Sequence, residues 1–373
     1  MKNDPLKKES VTAKEKDDTV KNIRSQKGYK VLDMETLMKK YNTPPKQIVE
    51  YLVVEKGVTV IAGTDGVGKT WFALQLAFCV ATGKDLIGFK TLKRPVLVIQ
   101  FELSPEQLAD RLKSFQKTYG TVNQEFLDFA LLEDDLIFSD AWEKVRTTIV
   151  KKRLKNGVII IDNLYTSTDA DVSTNQYLKP VLQMVEKIKN ETGTAIVLVG
   201  HHNKTDGEEK PLNKDLITGG KTLTNYASNV FQIGNSSMST NYRRAKITKV
   251  RDGYCDLLQQ AIRLDWRPND CLFNRGGIIV NEMAHCKPIT DKWEYELIIG
   301  FSEYESLNES NSFDRNGLWK YLSTIDGWEK TPAIETKVSR LLKSLQNWGF
   351  IEKVSHNNYQ LILDEIKILN VKE

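Results

Sequence analysis

The chain is poor in the features that mark secreted, membrane or metal-stapled proteins. Its 373 residues include four cysteines, Cys79, Cys255, Cys271 and Cys286, and no two are spaced as a pair. That excludes a disulfide framework and implies a reducing, cytoplasmic setting. A zinc site from Cys271, His285 and Cys286 lacks both C-x-x-C and H-x-x-x-H spacing. No apolar run approaches the roughly 18 residues that a membrane span needs, so no membrane role is expected. The opening stretch is charged and does not read as a secretory signal, so none is expected. There is no charge excess to speak of. Residues 1–30 hold nine Lys/Arg against five Asp/Glu, which accounts for the whole net charge of +4. The remainder is balanced, so nucleic-acid binding must be argued from local patches. No internal repeat or low-complexity tract is present.

What is there is an alternation. Apolar runs at 58–62, 95–101, 128–132, 157–161 and 194–200 alternate with helical patterns at 69–82, 104–118, 140–154 and 175–191. That order predicts an α/β fold with a parallel sheet buried on both faces. From 229 to about 301 the strand signals crowd together (Val230–Ile233, Ala245–Arg251, Leu257–Leu264, Trp293–Ile299), as antiparallel hairpins finishing the sheet would. Residues 1–30 read as a disordered charged tail, 31–56 as a helical lead-in broken by Pro44-Pro45, and the Ser-rich stretch 302–312 as a linker. Beyond the linker, helical patterns at 313–324 and 332–347 precede a hairpin signal at 349–362, a winged-helix pattern.

Gly63-Thr64-Asp65-Gly66-Val67-Gly68-Lys69-Thr70 matches the phosphate-binding pattern G-x-x-x-x-G-K-[ST] at every fixed position. It sits between a strand pattern and a helix that opens with Lys69, Thr70 and Trp71. Glycines let the backbone N–H groups turn around a phosphate, and the helix N-terminus favours negative charge. Lys69 would reach the β- and γ-phosphates and Thr70 would ligate Mg²⁺. Two further strands end in acids. Val158–Ile161 runs into Asp162, the expected Mg²⁺-linked carboxylate, and Val96–Phe101 runs into Glu102, the expected general base. The strand Ala195–Gly200 ends in His201-His202, which must point to opposite faces, so only one can contact a γ-phosphate. Asn203-Lys204-Thr205-Asp206 matches the guanine-reading N-K-x-D, but no strand ends in the accompanying D-x-x-G. Lys249 and Arg251 share a face of a late basic strand.

Assembled in this order, these residues resemble the RecA/DnaB-like ATPases, most closely the RepA-type hexameric helicases of plasmids and other mobile elements. The resemblance covers roughly residues 45–265. It implies a RecA-like P-loop core over 31–301 with a mostly parallel central sheet, and ATP with Mg²⁺ as cofactors. It makes Glu102 the base, Asp162 the Mg²⁺-linked acid, His202 or His201 the γ-phosphate sensor, and Lys249 and Arg251 fingers acting on a neighbour's ATP. It implies a homohexameric ring around single-stranded DNA, with DNA loops near 164–176 and 203–221, and a replication or mobile-element protein as a further partner. In the second loop, Lys204, Lys210, Lys214 and Lys221 are balanced by Asp206, Glu208, Glu209 and Asp215. The unit 313–373 resembles a winged helix, with Val338, Leu341, Leu342 and Leu345 as its core stripe and Lys337, Arg340 and Lys343 facing duplex or single-stranded DNA. Two functions stay open: a helicase or translocase, and an ATP-switched DNA-binding or assembly ATPase without unwinding.

Overall fold

The computed structural model describes residues 31–131, 156–164, 175–203, 209–286, 312–325 and 327–361, with isolated residues between 143 and 154 and between 293 and 297. The expected tail 1–30, the linker 302–311 and most of the helix 140–154 lie outside the described residues. The chain divides into Met1–Pro45 and Lys46–Glu373. The first unit contributes one short helix, α1 (Met34–Lys40), capped by the Asp33 carboxylate, which accepts from Thr36 N at 2.8 Å.

The expected lead-in 31–56 is thus helical before Pro44-Pro45 and not after it. Residues 47–54 form two short antiparallel strands, β1 (Gln47–Val49) and β2 (Val53–Val54). The fold then alternates as expected: β3 (Val58–Gly63), α2 (Lys69–Thr82), β4 (Val96–Gln100), α3 (Pro105–Tyr119), β5 (Leu127–Leu131), β6 (Val158–Asp162), α4 (Asn175–Thr192) and β7 (Ala195–His201). A short helix α5 (Gly220–Tyr226) leads into β8 (Asn229–Asn235), β9 (Tyr242–Val250), β10 (Ala261–Arg267) and β11 (Leu272–Ile279). These strands make one nine-stranded sheet in the order β11-β10-β9-β8-β3-β7-β6-β4-β5. From β8 to β5 all neighbours are parallel; β9, β10 and β11 continue it antiparallel.

Alternation within each strand builds two cores. Ile61, Val96, Val98, Val158 and Ile160 face α2 and α3, where Phe72 stacks on Phe231 with ring centroids 4.9 Å apart. Val58, Val60, Leu97, Ile99, Ile159 and Ile161 face α4 and α5. Helix α2 has apolar residues all round because it is buried all round, including Cys79, which is core as expected.

Trp293–Ile299 departs from the hairpin expectation: its described residues, Trp293, Glu294, Glu296 and Leu297, are helical. Trp293 and Leu297 are four apart, a spacing that serves one helix face, and both pack with the C-terminal core. Besides β9, the antiparallel partner of β10 is instead β11, and β10 itself begins at Ala261 rather than at Leu257. The C-terminal unit comprises β12 (Ser312–Asp314), α6 (Arg315–Leu322), α7 (Pro332–Asn347), β13 (Ile351–Ser355) and β14 (Asn358–Leu361), with strand order β12-β14-β13. Its core takes the expected stripe Val338, Leu341, Leu342 and Leu345 against Trp319 and Trp328.

Candidate functional site

Register brings the candidate residues together. Gly63 lies level with His201, and Gln100 with Asp162, so four parallel strands end at one edge of the sheet. That edge, beyond the carboxyl ends of parallel strands, is where α/β sheets bind ligands. The loop from Gly63 to Gly68 turns there into α2. Gly68 has φ +100°, and a Cβ on it would meet the Phe273 ring at 2.8 Å, so both its conformation and its space exclude a side chain.

A cavity of 470 Å³ opens on this loop. It is lined by Asp65, Gly66, Gly68, Lys69, Thr70, Trp71, Glu102 and His201, joined by Leu103 and, from the first two turns of α3, Gln107 and Arg111. Val67 points inward and is buried. The Lys69 ammonium donates to the carbonyls of Gly63 at 3.1 Å and Thr64 at 2.9 Å, and stands 3.8 Å from Asp65. Burial lowers its pKa, against the raising charges of Asp65, Glu102 and Asp162. Asp162 is buried at the tip of β6. Its Oδ2 accepts from Gln100 Nε2 at 3.1 Å, while Oδ1 takes no hydrogen bond from the described residues. Burial raises its pKa, opposed by the Gln100 amide and the Thr70 hydroxyl. Buried polar atoms are ordinarily satisfied. An unsatisfied carboxylate oxygen beside Thr70 is therefore a fit for a cation, with hard oxygen donors of the kind Mg²⁺ prefers. Among the described residues no group of three His, Cys, Asp or Glu gathers as a metal cluster.

The two histidines separate as the strand requires. His201 lines the cavity and links Asp65, at 2.6 Å from Nδ1, to Asn163, at 3.1 Å from Nε2. His202 is buried on the other side, near Gln232, and burial brings its pKa down to about 4. Lys249 and Arg251 lie elsewhere. Val250 pairs with Asn229, which is level with Thr59, so the end of β9 sits at the sheet edge opposite the phosphate loop. There Lys249 donates to the carbonyls of Thr224, Asn225 and Ala227, and Arg251 to that of Asn225, capping α5.

The candidate DNA contacts are scattered. Lys204, like Asp206 of the N-K-x-D match, lies outside the described residues, and Lys221 is exposed in α5. On α7, Arg340 and Lys343 are exposed, whereas Lys337 Nζ sits 3.4 Å over the Trp293 ring.

Three contributions escaped the sequence. Gln100 ties the site together: its amide nitrogen bonds Asp162 and its oxygen accepts from Glu102 N at 2.9 Å. Its place at the end of an apolar strand was the available signal. Arg111 stacks its guanidinium 4.9 Å from the Trp71 ring at the cavity wall, in the second turn of a helix with no motif to mark it. Arg243 Nε donates to Val67 O at 3.0 Å, holding the loop from a strand 176 residues away.

The sequence profile of the AAA domain matches residues 27–207. No curated protein matches the chain. Among solved structures, a KaiC-like protein of the hyperthermophilic archaeon Pyrococcus horikoshii is similar at 14% identity, with a TM-score of 0.45, over 62% of this chain and all of that one. Among the described residues, no helix is long and apolar enough to cross a membrane. The profile match spans the phosphate loop, Glu102, Asp162 and the two histidines. Over that stretch the chain is similar to AAA-domain ATPases, and its α/β core carries a P-loop nucleotide-binding site.

Proposed function

We propose that this protein is an ATP-hydrolysing DNA motor of the RepA/DnaB-like kind, working as a homohexameric ring on single-stranded DNA. The observation that carries the ATPase reading is the convergence of Lys69, Thr70, Glu102 and His201 on one cavity with the buried Asp162 behind it. Lys69 takes the phosphates, leaving its carbonyl partners, while the N–H groups of Gly66 to Thr70 enclose them. Thr70 and Asp162 would hold Mg²⁺, which neutralises charge on the transferred phosphoryl group. Glu102 accepts a proton from the attacking water. His201, held between Asp65 and Asn163, is the histidine that reads the γ-phosphate.

Lys249 and Arg251 act on a neighbouring subunit's ATP. Their position at the opposite sheet edge supports this, since they lie far from their own phosphate loop. The winged-helix-like unit, through Arg340 and Lys343, meets DNA, and a replication or mobile-element protein recruits the ring. A second reading is an ATP-switched DNA-binding or assembly ATPase that does not unwind. The balanced charges of the loop 203–221 and the engagement of Lys337 with Trp293 favour it.

The test is ATP hydrolysis with and without single-stranded DNA across a salt series, with Lys69→Ala as the blank. The motor reading expects stimulation that fades as salt rises, because phosphate contacts release counterions. Hydrolysis indifferent to DNA overturns it and leaves the switch.

A further inference from the structure

Three consecutive residues at the start of β9 touch three different parts of the molecule. Tyr242 packs against the C-terminal core. Arg243 donates to Val67 O of the phosphate loop. Arg244, with a fully buried side chain, lies between two carboxylates. Its NH2 meets Glu209 Oε2 at 2.6 Å, and its NH1 meets Glu282 Oε1 at 3.2 Å, Lys210 O at 3.0 Å and Cys286 Sγ at 2.8 Å. Its Nε donates to Asn235 O at 2.6 Å. The space is made for it: a Cβ on Gly234 would stand 2.8 Å from NH2.

Each carboxylate leads somewhere. Glu209 Oε1 accepts from Asn235 Nδ2 at 3.0 Å and from the Thr64 hydroxyl of the phosphate loop at 3.4 Å; Asn235 Nδ2 also reaches that hydroxyl at 3.3 Å. Glu282 accepts from Leu212 N at 2.7 Å and pairs with Lys246. Beside it, Asn281 donates to Gly349 O in the turn after α7. A polar path thus runs from Thr64 through Glu209 and Arg244 to Glu282, and the backbone carries it one residue on to Asn281 and so to the C-terminal unit. Arg244 is inaccessible and doubly paired, so neither carboxylate can leave without stranding buried charge.

The loop end of this path is the part a bound phosphate would alter. Lys69 holds the Thr64 carbonyl at 2.9 Å. Turning the ammonium toward phosphate releases that carbonyl, on the same residue whose hydroxyl meets Glu209 and Asn235. We propose that Arg244 is a positioning residue that couples nucleotide occupancy of the phosphate loop to the C-terminal unit, through Glu209 on one side and Glu282 with Asn281 on the other. The proposal rests on the ATP-site reading of that loop and on no property of DNA.

Spatial continuity is not coupling, so the test must measure transmission. Amide hydrogen exchange is followed by mass spectrometry on the full chain, with and without a non-hydrolysable ATP analogue and Mg²⁺. The analogue is expected to slow exchange at residues 66–70, and also at 349–353 by about fivefold, the lower end of ordinary coupling. Arg244 variants risk unfolding, so Glu209→Gln and Asn281→Ala are the working changes. Both are expected to keep the protection at 66–70 and to lose the response at 349–353. A wild-type chain protected at the loop but unresponsive at 349–353 overturns the proposal, as does a Glu209→Gln chain that transmits fully. Because no DNA is present, an ATPase indifferent to DNA leaves this inference standing.

Discussion

The two edges of the central sheet treat charged groups differently. At the edge where β3, β4, β6 and β7 end, buried polar atoms lack partners: Asp162 Oδ1 and His202 Nε2 take no hydrogen bond from the described residues. At the other edge Asn229 Oδ1 also takes no hydrogen bond from the described residues, but the cation there, the half-buried Lys249, has three carbonyl partners from the end of α5. Leaving a buried polar atom unpaired costs about 1–3 kcal/mol, so a fold keeps such atoms only where something else repays it. One edge is thus prepared for a ligand and holds its cost in reserve. At the other, the two cations are satisfied within the single chain.

Asp162→Asn breaks this contrast with the largest effect. It removes the charge that would face Mg²⁺, and hydrolysis is expected to fall by about 10²–10³, the scale of losing a main electrostatic group. Stability moves the other way. Burial raises the Asp162 pKa in the folded chain, so its contribution is favourable at acid pH and is lost as pH rises through the raised value. At neutral pH without nucleotide, the asparagine variant should melt a few degrees higher, and the gap should close below about pH 4, where the carboxyl is protonated in both states. A variant that melts lower at neutral pH and keeps its hydrolysis would make this edge as structural as the other.

His202 gives the next largest effect, on stability alone. Its folded pKa is about 4 against an ordinary 6.5, so the unfolded chain takes up the proton first. The stability this histidine contributes is full above pH 6.5 and is lost as pH falls toward 4. One site shifted this far loses about 2 kcal/mol between pH 7.5 and pH 5. Urea unfolding of the wild type should show that slope, and His202→Gln should flatten it. Equal slopes in the two proteins would mean that the ring is hydrated and not desolvated at this edge.

Legibility in the sequence follows the same division. The phosphate edge is assembled from strand ends, and each strand announces its end by an apolar run closing on a polar residue. Helix α2 begins and ends where its pattern does, and Glu102, Asp162 and His201 fall where their strands stop. What could not be read is what lies across the fold. Gln100 looks like one more strand residue until Asp162 arrives 62 positions later. Arg244 lies in a run that reads as an exposed basic strand, yet its guanidinium is buried between acids from two other segments. Strand β11 was missed because Leu-Phe-Asn-Arg-Gly-Gly-Ile-Ile has neither alternation nor a continuous apolar run; edge position, not burial on both faces, made it a strand. Trp293–Leu297 misled because its alternation also satisfies a four-residue helical spacing.

The smallest expected effect on stability lies at the Lys249 edge, and it sharpens the comparison most. As caps, Lys249 and Arg251 oppose the negative end of the α5 dipole and fill its last carbonyls, a contribution of about 0.3–1 kcal/mol each. Lys249 makes three bonds from a half-buried position and Arg251 makes one from an exposed position. Lys249→Ala should therefore destabilise the chain more than Arg251→Ala, both within about 1 kcal/mol in urea unfolding. If capping is all they do, hydrolysis per folded chain stays near wild type in both. If they also reach a neighbour's ATP, hydrolysis collapses while folding scarcely changes. Mixing Arg251→Ala with Lys69→Ala chains then restores part of it, because each variant supplies the half the other lacks. A collapse that mixing does not repair would place the fault within one subunit and return both cations to the role the single chain already gives them.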